Sequence, residues 1–217
     1  MNLGSASEKL LSPKPHVKYC NIIFDLNGVL IEYDPMTYIQ AFFTSEEQPH
    51  IFKLLTNPIA LQWDKDDDRG IATLDDLMAA INVSCEKEKI FRFFDVLSQW
   101  LLPIPQGLDW FNRAHAKGYK IYILSNYPKN LYEAIAAKHE FFKRAHGQVI
   151  SYQVKKIKPE TDIYHELLTK YDLQPQECLF IDDKKENILA GQAIGIDGIV
   201  CGDHCVVDQE LKSRFIF

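Results

Sequence analysis

The sequence predicts an α/β fold: a Rossmann-like parallel sheet with helices on both faces and an inserted four-helix cap subdomain. Two observations support this prediction. After residue 103, short apolar runs alternate with helical patterns, which is typical of right-handed crossovers between parallel strands. Residues 36–102 show only the three- and four-residue apolar spacing of helices. At 217 residues, the chain is long enough for one core carrying a smaller inserted unit.

The first strand lies within the stretch Tyr19–Leu30, where a run rich in Ile and Phe ends at Asp25 and turns through Asn27-Gly28. A run of this kind is typical of a strand buried on both faces of a parallel sheet. Such sheets place their chemistry just beyond the carboxyl ends of the strands. Asp25 is therefore the first candidate functional residue, although an Asp that closes a strand is also a common turn residue or helix cap.

Four helices are predicted between this strand and the next, at residues 36–43, 58–63, 74–81 and 90–101. Thr73–Asp76 resembles a capping box at the start of the third helix. Pro103 and Gly107 predict a turn that returns the chain to the core. The predicted organisation is a flexible tail at 1–18, a core at 19–35 and 103–217, and a helical cap at 36–102.

The second half of the chain alternates between helix and strand. Four more strands are predicted at residues 119–124, 147–151, 178–181 and 198–201. Helices are predicted around them at residues 108–117, 130–139, 160–171 and 184–193. This order predicts a parallel sheet, with the residues that follow each strand meeting at one edge.

Composition limits the classes of function. A formal net charge of −6 argues against a protein that binds nucleic acid or a membrane surface, since both require clustered Lys and Arg. The N-terminal residues lack the apolar segment of a signal peptide, and no stretch approaches the ~20 apolar residues that span a bilayer. Scattered cysteines without a Cys-x-x-Cys pair suggest reduced thiols and a cytoplasmic location. They are Cys20, Cys85, Cys178, Cys201 and Cys205.

Polar side chains follow the predicted strands or precede a helix at the same edge of the sheet. They are Asp25 after the first strand, Ser125 and Asn126 after the second, Lys158 before the 160–171 helix, and Asp182 and Asp183 after the fourth strand. Individually, the hydroxyl, amide and carboxyl groups can cap helices, and the lysine can be solvated. A helix cap also presents backbone N–H groups to an anion. Together the residues predict a site that binds both an anion and a cation.

This combination fits phosphoryl transfer through an aspartyl-phosphate. A carboxylate nucleophile that approaches a phosphate needs an ammonium and a divalent cation to offset charge repulsion. The carboxylates of Asp25 and Asp183, with a backbone carbonyl and water, suit Mg²⁺, which prefers an octahedral set of oxygens. The seven histidines are dispersed, so no transition-metal site is predicted.

Four segments resemble, in order, the motifs of the haloacid dehalogenase-like hydrolase superfamily. They are Phe24–Leu30, Ile123–Asn126, Lys158-Pro159, and Leu179–Asp183 followed by Asn187. The resemblance runs from about Cys20 to Cys201. It includes a helical cap between the first and second motifs, as in sugar-phosphate phosphatases and the phosphatase domain of soluble epoxide hydrolase.

The resemblance implies a role for each residue of the motifs. The implied roles are nucleophile for Asp25, phosphate binding for Ser125 and Lys158, magnesium binding for Asp183 with Asp182 beside it, and an outer, orienting position for Asn187. Family phosphatases usually carry a second Asp two residues after the nucleophile, where this chain has Asn27. The backbone carbonyl of Asn27 can still bind Mg²⁺, but its side-chain amide cannot transfer a proton. Without general acid-base catalysis, the activation free energy is higher by about 3 to 5 kcal/mol. The sequence leaves open whether this Asn is natural in a slow or specialised enzyme or an introduced change.

The predicted function is a magnesium-dependent phosphatase that acts on a small phosphorylated metabolite, for example a sugar phosphate. We expect a monomer or homodimer without nucleic-acid or membrane partners. Cap residues facing Asp25 should set specificity, and Trp63, Phe42 and Tyr38 are candidates, although each equally fits the core of the cap.

Three alternatives use similar residues. A haloacid dehalogenase has the Asp nucleophile and no second Asp, but it needs no Mg²⁺ and does not keep an adjacent acidic pair such as Asp182-Asp183. A phosphate-binding regulatory protein would keep the site and lose turnover through Asn27. A response-regulator receiver places its acidic pair first in the chain, whereas here the pair comes last.

Overall fold

The computed structural model describes residues 18–81, 87–214 and 216. The predicted tail, apart from Lys18, and Cys85 lie outside the described residues. In chain order the elements are β1 (Asn21–Phe24), α1 (Pro35–Phe42), α2 (Gln48–Leu55), α3 (Pro58–Asp68), α4 (Leu74–Ile81), α5 (Lys87–Trp100), α6 (Pro105–Ala116), β2 (Lys120–Ser125), α7 (Lys129–Lys138), α8 (Phe141–Arg144), β3 (Gly147–Ile150), α9 (Ser151–Val154), α10 (Thr161–Lys170), β4 (Cys178–Asp182), α11 (Lys185–Ala193), β5 (Asp197–Val200) and α12 (His204–Ser213).

The five strands form one parallel sheet in the order β3-β2-β1-β4-β5, which confirms the predicted α/β fold. β1 lies at the centre, where Phe24 is in register with Ile123 of β2 and Ile181 of β4. All four residues of β1 are buried, as expected for a strand with neighbours on both sides and helices on both faces. The carboxyl ends of β1, β2 and β4 therefore lie side by side.

Successive residues of β1 face opposite layers of helices, because side chains alternate along a strand. Ile22 and Phe24 pack in a core cluster with residues of α6, α7 and α12. Ile23 packs on the other face, with residues of α10 and α11. The four cysteines within the described residues are free thiols. No helix in the described part of the chain is long and apolar enough to cross a membrane.

Helices α1–α5 lie between β1 and β2, and we call residues 35–100 the helical insertion. The insertion contains α2, a helix that the sequence analysis did not predict. Thr73 and Asp76 form the predicted capping box, in which the Thr73 backbone N–H donates to Asp76 Oδ2 at 2.7 Å and the Asp76 N–H donates to Thr73 Oγ1 at 3.4 Å. The insertion also has a small core of its own, which includes Leu54, Trp63 and Leu77.

The chain leaves the core and returns to it through two paired segments. Ile31 and Pro103 form an isolated antiparallel bridge. The N–H of Glu32 donates to the carbonyl of Leu102 at 2.8 Å, and the N–H of Ile104 donates to the carbonyl of Leu30 at 2.9 Å. These bonds join the first and last connections of the helical insertion directly to each other.

Gly107, in the first turn of α6, packs against the loop that follows β1. A Cβ at this position would lie 1.9 Å from the carbonyl oxygen of Val29, so the backbone would have to move. We expect Gly107→Ala to destabilise the protein by about 1 to 3 kcal/mol, the usual cost of overpacking, measured by urea unfolding. Gly202→Ala is the matched control, because a Cβ there meets nothing within 4 Å. Equal unfolding midpoints for the two variants would contradict this close packing.

Candidate active site

The carboxyl edge of the sheet brings the predicted site residues together. Asp25 follows β1, Ser125 ends β2 and Asp182 ends β4, and the side chain of Lys158 lies among them. Lys158 Nζ is 2.8 Å from Asp25 Oδ1 and 2.6 Å from Asp182 Oδ2. All four residues are buried, so these interactions are shielded from water and screened little by salt. The residues therefore form one compact charged cluster.

Asp25 is held by three donors on a single oxygen. Oδ1 accepts hydrogen bonds from Ser125 Oγ at 2.6 Å, from the backbone N–H of Leu26 at 2.7 Å and from Lys158 Nζ. Burial raises the pKa of Asp25 to about 7; Lys158 opposes this rise and the nearby charge of Asp182 adds to it. Because the donors within the described residues address Oδ1, Oδ2 is the oxygen available to a phosphorus atom or a cation.

Lys158 is positioned through its backbone as well as its ammonium. Asn126 Oδ1 accepts from the Lys158 N–H at 2.8 Å, and Asn126 Nδ2 donates to the Lys158 carbonyl at 3.0 Å. Lys158 Nζ also donates to the carbonyl of Leu124 at 3.0 Å. Burial alone would lower the pKa of Lys158, but the carboxylates of Asp25 and Asp182 outweigh that effect and raise it, so the lysine stays charged. The side chain of Asn126, one of the residues predicted to form the anion- and cation-binding site, thus binds the Lys158 backbone.

The adjacent carboxylates of Asp182 and Asp183 lie in different surroundings. Asp182 is fully buried and, besides Lys158, accepts from Asn187 Nδ2 at 3.0 Å on each oxygen and from the Lys184 N–H at 2.8 Å. Asn187 therefore orients Asp182. Asp183 is exposed and borders the site cavity. The two residues therefore differ in their contacts: Asp182 binds Lys158, and Asp183 borders the cavity above Asp25.

The donor set fits Mg²⁺. One carboxylate oxygen from each of Asp25, Asp182 and Asp183 lies within 4.8 Å of the others. Although Asp183 as a residue is exposed, partial desolvation of its carboxyl and the charge of Asp182 raise its pKa, as expected where carboxylates crowd together. Asn27 Oδ1 is buried and has no hydrogen-bond partner among the described residues. These are all hard oxygen donors, the type that Mg²⁺ prefers.

Gly28 allows Asp183 to reach this cluster. Its φ of 72° lies in the left-handed region, and a Cβ at Gly28 would be 2.8 Å from Asp183 Oδ2. The Asn27-Gly28 turn recognised in the sequence therefore leaves room for a carboxylate as well as reversing the chain.

The cavity above Asp25 has a volume of about 180 Å³ and is bordered by an acidic face of the helical insertion. Asp64, Asp67 and Asp68 of α3 contribute three carboxylates, which the sequence analysis missed although their spacing places them on one helical face. Burial raises the pKa of Asp67 to about 6, and the charge of Asp64 adds to the effect. The hydroxyl of Tyr127, 1% exposed, also borders the cavity and has no partner within the described residues.

The aromatic residues predicted as specificity candidates lie elsewhere. Tyr38 is buried in the core cluster around β1, and Phe42 packs against it. Trp63 belongs to the small core of the insertion and borders a second, neighbouring cavity.

The chain is similar in sequence to two phosphatases. A sesquiterpene phosphatase from Aspergillus oryzae is 24% identical over 88% of this chain and 94% of that protein. A D-ribitol-5-phosphate phosphatase from Bacteroides thetaiotaomicron is 24% identical over 82% of this chain and 89% of that protein. Both alignments span nearly the whole of the relatives, so the resemblance is not confined to one motif.

Solved structures share the fold. A HAD family enzyme from Bacteroides thetaiotaomicron, in complex with magnesium and inorganic phosphate, superposes with a TM-score of 0.63 at 22% identity, covering 85% of this chain and 96% of that chain. The L-2-haloacid dehalogenase of Xanthobacter autotrophicus gives a TM-score of 0.63 at 15% identity, covering 92% of this chain and 84% of that chain. The family model of haloacid dehalogenase-like hydrolases matches residues 21–195. With the fold and the ordered motifs, this match places the chain in the haloacid dehalogenase-like hydrolase family.

Proposed function

We propose that the protein is a magnesium-dependent phosphatase that cleaves a phosphate monoester through an aspartyl-phosphate on Asp25. The observation that carries this proposal is the ammonium of Lys158, held 2.8 Å from Asp25 Oδ1 beside a cluster of three carboxylates. This arrangement places one fixed positive charge, and oxygens suited to a divalent cation, around a free carboxylate oxygen. The two phosphatases that resemble the chain support the same reaction class.

Each residue has a role in the proposed reaction. Asp25 Oδ2 attacks phosphorus, the bond from phosphorus to the ester oxygen breaks, and the alcohol leaves. Ser125 and Lys158 bind and orient the phosphoryl oxygens, while Asp183 and the Asn27 carbonyl hold Mg²⁺. When bound, Mg²⁺ supplies positive charge that offsets the repulsion between carboxylate and phosphate. Water then attacks the acyl phosphate, which releases inorganic phosphate and restores Asp25.

Asn27 limits the proposed reaction at the leaving group. Its amide cannot protonate the departing oxygen or take a proton from the attacking water. Both proton transfers must then involve solvent, which removes the usual contribution of general acid-base catalysis. We therefore propose a slow phosphatase whose rate falls as the leaving alcohol becomes less acidic.

Asn27 also favours two other functions. A haloacid dehalogenase needs no acid at this position, but it has no use for the magnesium-type cluster that Asp183 completes against Gly28. A phosphate-binding regulatory protein would use the same cluster without turnover. The carboxylate cluster favours a phosphatase over a dehalogenase, and the two phosphatases that resemble the chain favour turnover over binding alone.

The remaining parts of the proposal concern substrate and setting. We propose a small phosphorylated metabolite as substrate, a cytoplasmic location, and a monomer or homodimer without nucleic-acid or membrane partners. The relatives are named for a sesquiterpene and for D-ribitol 5-phosphate, an apolar and a polar compound, so they leave the alcohol portion open. A turnover screen over phosphorylated metabolites, with and without Mg²⁺, tests the substrate.

The magnesium site can be tested without turnover. A ligand that binds only the folded state at 100 times its Kd stabilises by about 2.7 kcal/mol, or roughly 5 to 10 °C in melting temperature for a chain of this size. We expect Mg²⁺ to raise the melting temperature of the wild type in this range and to have little effect on Asp183→Ala. Asp162→Ala, an exposed carboxylate in the first turn of α10, should keep the full shift. A shift that survives in Asp183→Ala would place the ion elsewhere.

A further inference from the structure

A second cavity lies beside the proposed phosphate site, between the helical insertion and α7. Its volume is about 500 Å³, within the roughly 300 to 1,000 Å³ typical of small-molecule sites. We call it the apolar chamber, after the side chains of Trp63, Leu74, Phe91, Phe94, Leu131 and Ala134 that line it. Phe91, one of these side chains, is 46% exposed and so has apolar surface available to a ligand.

The apolar chamber adjoins the cavity above Asp25. Asp67, Phe94, Pro128 and Leu131 border both spaces. A phosphate held by Ser125 and Lys158 therefore has its ester oxygen in a cavity whose wall, at Phe94 and Leu131, continues into the chamber. Lys129, Asn130 and Lys155 also line the chamber but are exposed, so its polar side faces solvent.

Charge restricts what can pass along this wall. Asp64, Asp67 and Asp68 border the cavity above Asp25, and Asp67 borders both spaces. A carboxylate or second phosphate on the alcohol portion of a substrate would meet three acidic groups against the nearby cation of Lys184, so its binding there is disfavoured. A hydrocarbon chain carries no such penalty and gains from removal of its surface from water.

We propose that the apolar chamber binds the alcohol portion of the substrate, and that the substrate is the phosphate monoester of an uncharged, hydrocarbon-rich alcohol. The proposal rests on the proposed phosphatase function and specifies its substrate class. The phosphate binds at Asp25, Ser125 and Lys158, and the chain extends past Phe94 and Leu131 into the chamber. Specificity then comes from the insertion and α7 together.

The test uses n-alkylphosphonates, in which a C–P bond replaces the ester linkage, so that the anionic head group is kept and cannot be hydrolysed. Binding of butylphosphonate and decylphosphonate to the full chain is measured by calorimetry in Mg²⁺, below the concentration at which the longer compound aggregates. Full burial of a methylene strengthens binding by roughly fourfold. Since six methylenes will be only partly buried, we expect decylphosphonate to bind on the order of 100-fold more tightly than butylphosphonate. Equal affinities would overturn the proposal.

Two variants fill the apolar chamber from two different helices. Ala134→Trp enters from α7 and Ser98→Trp from α5, and neither residue borders the cavity above Asp25. Each variant should lower the ratio of the butylphosphonate Kd to the decylphosphonate Kd at least tenfold. The Kd of butylphosphonate itself should stay within about twofold of the wild-type value. Ala137→Trp is the matched control, because it makes the same substitution at an exposed position of α7. If Ala134→Trp and Ala137→Trp gave the same preference, the chamber would not be the binding site.

Turnover of p-nitrophenyl phosphate separates this inference from the proposed function. Hydrolysis without a chain-length preference would refute the chamber and keep the phosphatase. A chain-length preference that the chamber-filling variants remove, without any hydrolysis, would refute the phosphatase and keep the chamber. Butylphosphonate should also bind more tightly than 3-phosphonopropionate, a compound of similar length whose carboxylate would meet the acidic face of α3.

Discussion

Asp25→Asn is expected to abolish turnover of p-nitrophenyl phosphate in Mg²⁺, with a fall in kcat on the order of 10⁶, the size seen when a protease loses its nucleophile. The reason is geometric. Ser125, Leu26 and Lys158 fix Oδ1, so the reaction depends on Oδ2, and an amide at that position cannot attack phosphorus. Initial-rate measurements at saturating substrate check this expectation.

The control for this loss is Asp162→Asn, which changes an exposed carboxylate in the same way and should keep full activity. Circular dichroism on both variants would establish that the fold is intact. If Asp25→Asn kept more than about 1% of the wild-type rate, then another group or water would be the nucleophile, and the aspartyl-phosphate route would be wrong.

Asn27→Asp is expected to raise the rate on phosphate monoesters by up to the 10²- to 10⁴-fold typical of general acid-base catalysis. The gain should be largest for alkyl phosphates, because their strongly basic leaving groups need a proton most. It should be smaller for p-nitrophenyl phosphate. A plot of log kcat/KM against the pKa of the leaving group should therefore become flatter in the variant.

Asn27→Ser is the control, since a hydroxyl side chain at this position supplies no comparable acid and should bring no gain. Asp25→Asn combined with Asn27→Asp should be inactive. A dehalogenase would instead release halide from a 2-haloacid without Mg²⁺ and gain nothing from the new carboxylate. A phosphate-binding protein would show neither activity with its fold intact, and that outcome would defeat the enzymatic proposal.

The architecture of the core could be predicted because its strands are short, apolar and separated by clear helices. The pattern Ile22-Ile23-Phe24 indicates burial on both faces, and the structure places Ile23 opposite Ile22 and Phe24 in just that way. Helix α2 was missed because Pro49 lies in its first turn. Proline is tolerated at that position, but in a sequence pattern it is usually taken to end a helix. Helix α12 was also missed, since its apolar face at Val207 and Leu211 is narrow.

The sequence predicted that the candidate site residues lie close together, but it did not predict the contacts among them. Strand ends give Asp25, Ser125 and Asp182, because parallel strands finish at one edge. Asp182 is buried and Asp183 is exposed because their side chains point in different directions at the end of β4. Which of the two is buried depends on the tertiary packing around the strand, which the sequence pattern does not show. The acidic face of α3 was missed for the same reason: helical spacing groups Asp64, Asp67 and Asp68 on one face but does not tell what that face meets.

The bridge between Ile31 and Pro103 has an evolutionary consequence. Because the two ends of the helical insertion are hydrogen-bonded neighbours, any replacement segment with adjacent ends could be joined at the same place with little loop-closure cost. The junction lies a few residues beyond Asp25, so such an exchange would leave the sheet and its charged edge untouched. Replacing the insertion would therefore change one wall of both cavities while the charged edge of the sheet stays the same.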